Sequence, residues 1–356
     1  MIPASGRPRQ IPASWQQELA EAITRPEELA EALGLPPGAI STGAATSFPL
    51  RVPRSFVARM RPGDPDDPLL RQVLPAAEEL LEPPGFGADP LQERAAQRAP
   101  ALLQKYHGRA LLIATETCAV HCRYCFRREF PYAAQHGEGA RWGEALAAIA
   151  ADPSLEEIIL SGGDPLSLSN ARLSALARSL MQIPHVRRIR VHTRQPVVLP
   201  SRIDAGLIEW LRSSTVPIVV VLHINHPNEI DDALREACAK MRAAGATLLN
   251  QTVLLTGIND EVAVLARLSQ ELFAAGVLPY YLHALDRVRG AAHFLVPDER
   301  ARALAGALAA RLPGYLVPRL VREFPGAVAK TVLTPITGGL AKATPARALE
   351  LVRERT

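Results

Sequence analysis

The sequence predicts an α/β fold, either a partial (β/α)6 TIM-type barrel or a doubly wound parallel sheet, with a helical N-terminal extension. From residue 109 onward, short apolar runs alternate with alanine-rich amphipathic stretches in six successive strand–helix units. Continuous apolar strands separated by amphipathic helices indicate a parallel sheet covered by helices. Six units are too few for a full eight-unit barrel.

The predicted extension covers residues 1–104, where apolar residues recur at three- and four-residue spacing between prolines, as in WQQELAEAI, PEELAEAL and PLLRQVLPAAEELLEP. The barrel would occupy residues 105–313, and residues 314–356 would form a C-terminal segment that contains Lys330. Both architectures bind ligands at the carboxyl ends of their strands. We therefore expect the functional residues in the loops that follow the strands.

Composition limits the class of protein. The 356 residues carry 40 basic and 36 acidic side chains, which are interspersed rather than gathered into runs, so we expect no nucleic-acid partner. No apolar stretch reaches about 18 residues and the N-terminus lacks the apolar core of a secretory signal, which predicts a cytoplasmic protein without membrane association. Three of the four cysteines lie within eight positions, which favours a metal site over disulfides. Cys238, in the helical run EACAKMR, is expected to pack in the core.

The three clustered cysteines, Cys118, Cys122 and Cys125, form a CxxxCxxC pattern just after the first strand, RALLIAT. Thiolates select iron–sulfur clusters, zinc or copper(I). A structural zinc site usually has four ligands in two pairs, whereas only His121 lies near this triplet and no second pair follows. Three ligands suit a [4Fe–4S] cluster with one iron left open. The competing interpretations are a redox CxxC pair, buried thiols, or a zinc-stabilised binding module without catalysis.

Two further loops follow predicted strands. Gly162, Gly163 and Asp164 come after EEIIL, where paired glycines let a ligand approach the backbone and an acid can accept an ammonium, although a plain turn has the same composition. His223 and His226 lie in HINHPNE, and HxxH on a loop without an acidic third ligand is a weak zinc signal.

The triplet resembles the signature of the radical S-adenosylmethionine (SAM) superfamily, CxxxCx(aromatic)C, with Tyr124 as the aromatic residue. The resemblance implies a partial barrel, and a cluster whose open iron chelates the amino and carboxylate groups of SAM and cleaves it to a 5′-deoxyadenosyl radical. The implied SAM-binding residues are Gly162, Gly163 and Asp164 at the amino group, Arg194 at the carboxylate and Gln251 near the adenine.

Across roughly residues 80–335 the chain resembles a narrower family, the lysine 2,3-aminomutases, and within it the branch that supplies β-lysine for modification of elongation factor P. The resemblance rests on CAVHCRYCFRREF, LSGGDPL, TRQPVVLP, NHPNEI, NQTVLLTGIND, the HALD and GAAHF segments and FPGAVAK. It implies pyridoxal 5′-phosphate (PLP) as a further cofactor and L-lysine as the substrate, converted from (S)-α-lysine to (R)-β-lysine. The implied residues are Lys330 as the Schiff-base lysine, Lys105, Tyr106 and Arg109 at the phosphate, Arg127 at the substrate carboxylate, and Asp286 and Glu323 at its distal ammonium.

The chain departs from the free-lysine enzymes of this family in two respects. Glu323 stands where they carry an aspartate, which keeps the charge but lengthens the reach. No cysteine follows Lys330, whereas they carry a C-terminal cysteine cluster that helps their subunits bind, so zinc is not expected and the assembly is expected to be smaller than theirs, a homodimer. The implied partners are an electron donor such as flavodoxin or ferredoxin, and a ligase acting on elongation factor P.

Three alternatives stay open at this point. The same fold could make β-lysine for other metabolism, or act on another amino acid such as glutamate. Asp286 and Glu323 favour a substrate with a distal cation. An ordinary pyridoxal transferase would not need the cysteines.

Overall fold

The sheet that organises the molecule has ten strands arranged in chain order. The computed structural model describes residues 14–36, 38–131 and 138–336, with side chains described from residue 142 onward in the last range. The strands are β1 Gln97–Ala99, β2 Leu102–Tyr106, β3 Arg109–Thr115, β4 Glu157–Gly162, β5 Arg188–Thr193, β6 Ile218–Leu222, β7 Thr247–Val253, β8 Leu278–His283, β9 Arg319–Arg322 and β10 Thr331–Val332.

Strands β3 to β9 pair in parallel with their neighbours, whereas β1, β2 and β10 are antiparallel. The strand order never reverses, as it would at the switch point of a doubly wound sheet, and the sheet is not closed. The prediction of a partial (β/α)6 TIM-type barrel is therefore confirmed, and the doubly wound alternative is wrong.

Helices connect the parallel strands, and their first residues explain where they begin. Ser169, Asp204 and Asp231 each accept a hydrogen bond from a backbone N–H of the first turn that would otherwise lack a partner. The connecting helices are α5 Glu138–Ala151, α6 Asn170–Met181, α7 Gln195–Val198, α8 Ala205–Arg212, α9 Asp232–Ala243, α10 Val262–Ala274 and α11 Asp298–Arg311, numbered after the four N-terminal helices described below.

One side of the sheet packs under these helices in a continuous apolar core. In β5, Ile189 and Val191 are buried in that core, while the intervening Arg190 and His192 face the opposite side, as the two-residue period of a strand requires. Cys238 of α9 lies in the core with its thiol fully buried, which agrees with the packing role expected for it. Among the described residues, no helix combines the length and apolar character needed to cross a lipid bilayer.

The N-terminal extension contains four short helices, and it forms a separate apolar cluster against the cysteine loop. Ala119 and Val120 of that loop, with Val198 and Leu199 after β5, pack among its buried residues. The helices are α1 Trp15–Ala20, α2 Pro26–Leu33, α3 Thr42–Ser47 and α4 Arg54–Val57.

The extension is less helical than the sequence predicts. The run PLLRQVLPAAEELLEP forms only short 3₁₀ turns at Leu70–Gln72 and Ala77–Leu80, because prolines interrupt it before a longer helix can form. Strand β1 and the start of β2 also fall before residue 105, joined by a tight connection in which Ala101 has a left-handed φ of 61°. The exact domain boundaries stay a prediction.

Candidate active site

A cavity of about 560 Å³ lies along the inner side of the sheet and reaches the loops at the strand carboxyl ends. This volume is in the range of small-molecule sites. It brings together parts of the chain that are far apart in sequence, from the end of the N-terminal extension to the C-terminal segment. Every residue that the resemblance assigns to a cofactor or to the substrate lines it: Cys118, Cys122, Cys125, Gly162, Gly163, Asp164, Arg194, Gln251, Lys105, Tyr106, Arg109, Arg127, Asp286, Glu323 and Lys330.

The three cysteines lie on the loop after β3, and burial makes the thiols of Cys118 and Cys125 hard to ionise. It raises the pKa of Cys125 to about 11 and the pKa of Cys118 well above its ordinary value. Cluster iron binds thiolates, so cluster assembly at this loop releases protons. In the described part of the chain, no three His, Cys, Asp or Glu side chains are close enough to share one metal ion.

A buried ion network ties this loop to the N-terminal extension. Both oxygens of the Glu79 carboxylate accept from Arg123, at 2.7 and 2.6 Å, and one also accepts from Arg128 at 2.8 Å. Arg123 and Glu79 have no exposed side-chain surface. The backbone adds two bonds, from His121 N to Arg51 O and from Arg123 N to Gln72 O, both 2.9 Å.

Close packing against the cysteine loop requires glycine at positions 162 and 163. A Cβ at Gly163 would lie 2.6 Å from the Glu116 carbonyl carbon and the Thr117 oxygen, and one at Gly162 would lie 2.7 Å from the Thr115 oxygen. Gly163 N donates to Thr115 O at 2.7 Å. The two strand-end loops are therefore joined backbone to backbone.

Four hydrogen bonds within the protein hold the carboxylate of Asp164, which the resemblance assigns to the SAM amino group. One carboxylate oxygen accepts from Leu166 N at 3.0 Å and Thr193 Oγ1 at 2.6 Å. The other accepts from Arg194 N at 2.7 Å and Gln195 N at 2.9 Å. A carboxylate offers about four acceptor positions. The side chain therefore positions the loops after β4 and β5.

Arg194 is likewise held inside the protein. Its Nη2 donates to Gln72 Oε1 at 2.8 Å and to Glu229 Oε2 at 3.2 Å, while Nη1 donates to Cys122 Sγ at 3.4 Å. Burial would lower the pKa of Arg194, but the Cys122 and Glu229 charges outweigh burial and raise it. Most of its donors are committed to the protein, whereas its Nε has no hydrogen-bond partner among the described residues.

Lys330 lies between an acid and an imidazole. Its Nζ is 3.1 Å from Glu323 Oε2 and 3.3 Å from His283 Nε2. Burial lowers the pKa of Lys330, against the opposing effect of the Glu323 charge. Burial would raise the pKa of Glu323, but Lys330 and Lys105 outweigh it and hold the value at about 2. Burial and the Glu323 charge raise the pKa of Asp286 to about 7.

The cationic group expected to bind a phosphate lies on β2 and β3. Lys105 Nζ is 2.8 Å from Glu323 Oε1 and 3.1 Å from Glu93 Oε1. The Arg109 guanidinium lies 4.7 Å from the centre of the Tyr106 ring. Two cations and a phenol in one cavity with Lys330 fit a phosphate ester whose aldehyde reaches that lysine, provided that Lys105 exchanges one carboxylate for the phosphate.

Glu93 is a site residue that the sequence did not reveal. It is 2% exposed, and Arg127 donates to it through Nε at 2.6 Å and Nη2 at 2.8 Å. Arg127 Nη1 also donates to Ser161 Oγ at 3.1 Å. Glu93 lies in PLQERAAQ, which reads as an exposed polar stretch, so no local signal marks it.

Three histidines also line the cavity: His192 and His283, which the sequence did not assign to a site, and His223, which belongs to the weak zinc pattern HxxH. Burial lowers the pKa of His223 to about 3 and those of the other two well below the ordinary value, so all three are neutral. The Nε2 atoms of His192 and His223 are buried without a hydrogen-bond partner among the described residues. Alternation along β5 could have placed His192 on the inner side.

The cysteine loop, the partial barrel and the cavity define an enzyme of the radical SAM class, whose family profile, Radical SAM superfamily, matches residues 112–268. The chain is 50% identical over 322 residues to an L-lysine 2,3-aminomutase of Escherichia coli, covering 90% of this chain and 94% of that protein. It is 46% identical to that of Haemophilus influenzae, covering 90% and 95%, and 36% identical to that of Clostridium subterminale, covering 79% and 67%. The chain belongs to the L-lysine 2,3-aminomutase family, which are radical SAM isomerases.

Proposed function

We propose that this protein is a PLP-dependent L-lysine 2,3-aminomutase that converts (S)-α-lysine to (R)-β-lysine in the cytoplasm. The observation that carries the proposal is that Lys330, the cysteine loop and the pair Asp286 and Glu323 share one cavity. A radical generator, an amine that can hold an aldehyde and a binding site for a distal cation are the three components that this reaction needs.

Three cofactors would be held in the cavity. Cys118, Cys122 and Cys125 would bind the cluster, and the backbone around Gly163 would lie beside SAM. Lys330 would hold PLP covalently, with Lys105 and Arg109 at its phosphate. When bound, SAM supplies the radical that removes a substrate hydrogen, and PLP supplies a π-system that carries the unpaired electron while the amino group migrates.

The substrate would be held at both of its ends. Arg127 would bind the α-carboxylate, for which its planar fork is suited, and Asp286 with Glu323 would bind the distal ammonium. A glutamate substrate would bring a third carboxylate beside these two acids, at a cost that buried like charges make large. The acidic pair therefore favours lysine over acidic amino acids.

We further propose that the β-lysine serves the modification of elongation factor P, through a ligase, and that flavodoxin or ferredoxin supplies the electrons to a monomer or homodimer. Support comes from Glu323, which stands where the resemblance gives the free-lysine enzymes an aspartate. The alternative is a free-lysine enzyme that supplies other metabolism.

An anaerobic assay tests the proposal. The reconstituted protein is incubated with a reductant, SAM, PLP and either lysine or glutamate, and the products are separated by chiral chromatography. We expect (R)-β-lysine from lysine and no product from glutamate. Adding elongation factor P and its ligase tests the destination, because transfer of the product to the factor separates the two branches.

Replacing Lys330 with alanine provides the matched control. We expect Lys330→Ala to abolish turnover and the visible absorbance of bound PLP, while iron and sulfide content stays at the level of the unchanged protein. Full activity in this variant would contradict the proposal.

A further inference from the structure

The guanidinium of Arg194 reaches the cysteine loop from a neighbouring strand end. Its Nη1 donates to Cys122 Sγ at 3.4 Å, across the boundary between the loops that follow β3 and β5. We propose that Arg194 is a positioning residue of the cluster that raises its reduction potential by placing a fixed positive charge and an N–H donor against the Cys122 thiolate.

Arg194 carries its charge inside the protein, paired with a buried acid. Arg194 is 4% exposed, and its ion-pair partner Glu229 is fully buried. One Glu229 oxygen accepts from Asn225 N at 3.0 Å and His226 N at 2.9 Å, which leaves the other oxygen for Arg194. Taking two charges out of water is expensive and adds little stability by itself. The burial of this ion pair is therefore better explained by the contact that Arg194 Nη1 makes with Cys122.

The orientation of the guanidinium is fixed from several sides. Its centre lies 5.6 Å from the ring centres of both Phe56 and Tyr124, so two aromatic residues contact it. Gln72 and Glu229 bind Nη2, which leaves Nη1 aimed at the sulfur. The negative partner is thus on one side of the guanidinium and the thiolate is on the other. The pair presents its positive end to Cys122.

The physical effect on the cluster has a definite sign. Reduction adds an electron, and therefore negative charge, to the cluster and its sulfur ligands. A cation and a hydrogen bond at a ligating sulfur stabilise the reduced form more than the oxidised form, which raises the potential. Burial strengthens the effect because water does not screen the charge. Radical SAM chemistry begins with reduction of the cluster, so this contact makes the first electron transfer easier.

The test is a potentiometric titration of the reconstituted full-length protein, followed by electron paramagnetic resonance of the reduced cluster. SAM, PLP and lysine are left out, so the result does not depend on the proposed aminomutase activity. We expect Arg194→Gln to shift the midpoint potential to a more negative value. Arg194→Lys keeps the charge but loses the fixed fork of N–H donors. Its midpoint potential should lie between those of Arg194→Gln and the unchanged protein.

A double variant guards against misfolding, because Arg194→Gln alone leaves the buried Glu229 unpaired. Arg194→Gln/Glu229→Gln removes both charges, and it should still shift the potential negatively, since the nearer charge is lost. Arg322→Gln/Asp298→Asn removes another ion pair, with N–O distances of 2.6 Å, that does not line the cavity; its midpoint should equal that of the unchanged protein.

Two outcomes would overturn the proposal. The first is an unchanged midpoint in both variants that remove the Arg194 charge. The second is a loss of SAM affinity, measured by titration calorimetry, while the midpoint potential stays unchanged. That result would make Arg194 a ligand of SAM through its Nε, which has no hydrogen-bond partner among the described residues. If neither charge-removing variant assembles a cluster, Arg194→Lys decides, and an unshifted midpoint in that variant counts against the proposal.

Discussion

Charged residues alternate in sign across the cavity. Arg127 pairs with Glu93, Glu93 with Lys105, Lys105 with Glu323, and Glu323 with Lys330, each with an N–O distance between 2.6 and 3.1 Å. Residues expected to bind the substrate carboxylate, a phosphate and an aldehyde are thus neutralised by internal acids. A bound anion must exchange with one of these acids, so affinity depends on how readily Glu93 and Glu323 give up their partners.

Asp286 should make lysine binding depend on pH. Its pKa is raised to about 7 by burial and by Glu323, whereas the substrate ammonium stays charged until well above that pH. Below the raised pKa the ammonium must displace a proton from Asp286, which costs up to about tenfold in affinity per pH unit. We expect the KM for lysine to fall from about pH 6 to pH 7 and to level off above. Steady-state assays check this.

The matched variant for this prediction is Asp286→Asn. It should bind lysine weakly at every pH and show no such slope. A KM that varies with pH as strongly in Asp286→Asn as in the unchanged protein would assign the titration to another group.

Glu93 should contribute stability that is lost in acid. Burial opposes ionisation, but Arg127 and Lys105 outweigh it and lower the pKa of Glu93, so the folded state favours the charged form. The contribution is then complete above the ordinary carboxyl pKa and disappears as the pH falls through the lowered value. Glu93→Gln should lower the free energy of unfolding at neutral pH by about 3–5 kcal/mol, because the buried Arg127 loses its counter-charge.

Urea unfolding at several pH values measures this effect. The difference between Glu93→Gln and the unchanged protein should shrink as the pH falls below the ordinary carboxyl value. A difference that is small at neutral pH, or constant throughout, would show that the ion pair contributes little.

At the scale of elements, the loops after β3, β4 and β5 act as one unit. Asp164 accepts two backbone N–H bonds from the loop after β5, at Arg194 and Gln195, and its own N–H donates to Thr117 O at 2.8 Å in the cysteine loop. The cysteines are positioned by these bonds as much as by their own loop. Changes in the glycine loop should therefore affect the cluster.

Gly163→Ala tests that coupling. The added methyl would lie 2.6 Å from two backbone atoms of the cysteine loop, which cannot move aside as a flexible side chain would. We expect the variant to fold but to hold less iron and sulfide per chain after reconstitution, measured against Gly245→Ala, where a Cβ meets nothing within 4 Å. Because Gly245 has a φ of 94°, that control carries backbone strain without the clash. Equal iron content in both variants would show that the glycine loop and the cysteine loop are not coupled.

The elements differ in how far the sequence predicted them. Alternation of apolar strands with amphipathic helices predicted β3 to β8 and their helices, because the parallel sheet and its helices follow local periodicity. The cysteine spacing predicted the cluster loop because the whole motif lies within eight consecutive positions. Glu93 and the task of Asp164 could not be predicted locally, because both depend on partners that are distant in sequence. The short turns at Leu70–Gln72 and Ala77–Leu80 were mistaken for helix because their apolar spacing is helical while prolines limit their length.

At the scale of the whole molecule, the N-terminal extension and the barrel share apolar contacts and buried ion pairs at the cysteine loop. Phe56 is fully buried in the cluster that joins them and lies beside the Arg194 guanidinium. Glu79 pairs with two arginines of the cysteine loop. We therefore expect one cooperative unfolding unit rather than two.

Phe56→Ala should reveal this cooperativity. Loss of a fully buried aromatic side chain costs about 3–5 kcal/mol. We expect the urea midpoint to fall for the barrel as well as for the extension, with circular dichroism and tryptophan fluorescence giving coincident transitions. Two separate transitions, with only the first one shifted, would show that the extension unfolds independently.

The position of Lys330 in the chain has a consequence for biosynthesis. The ribosome makes the cysteine loop early, and the barrel helices follow, whereas Lys330 between β9 and β10 is among the last described residues to emerge. N-terminal parts generally fold first during synthesis. A nascent or truncated chain could thus hold iron and sulfur before it can bind pyridoxal phosphate. Only a chain translated through its last strands would acquire all the groups needed to use a radical productively.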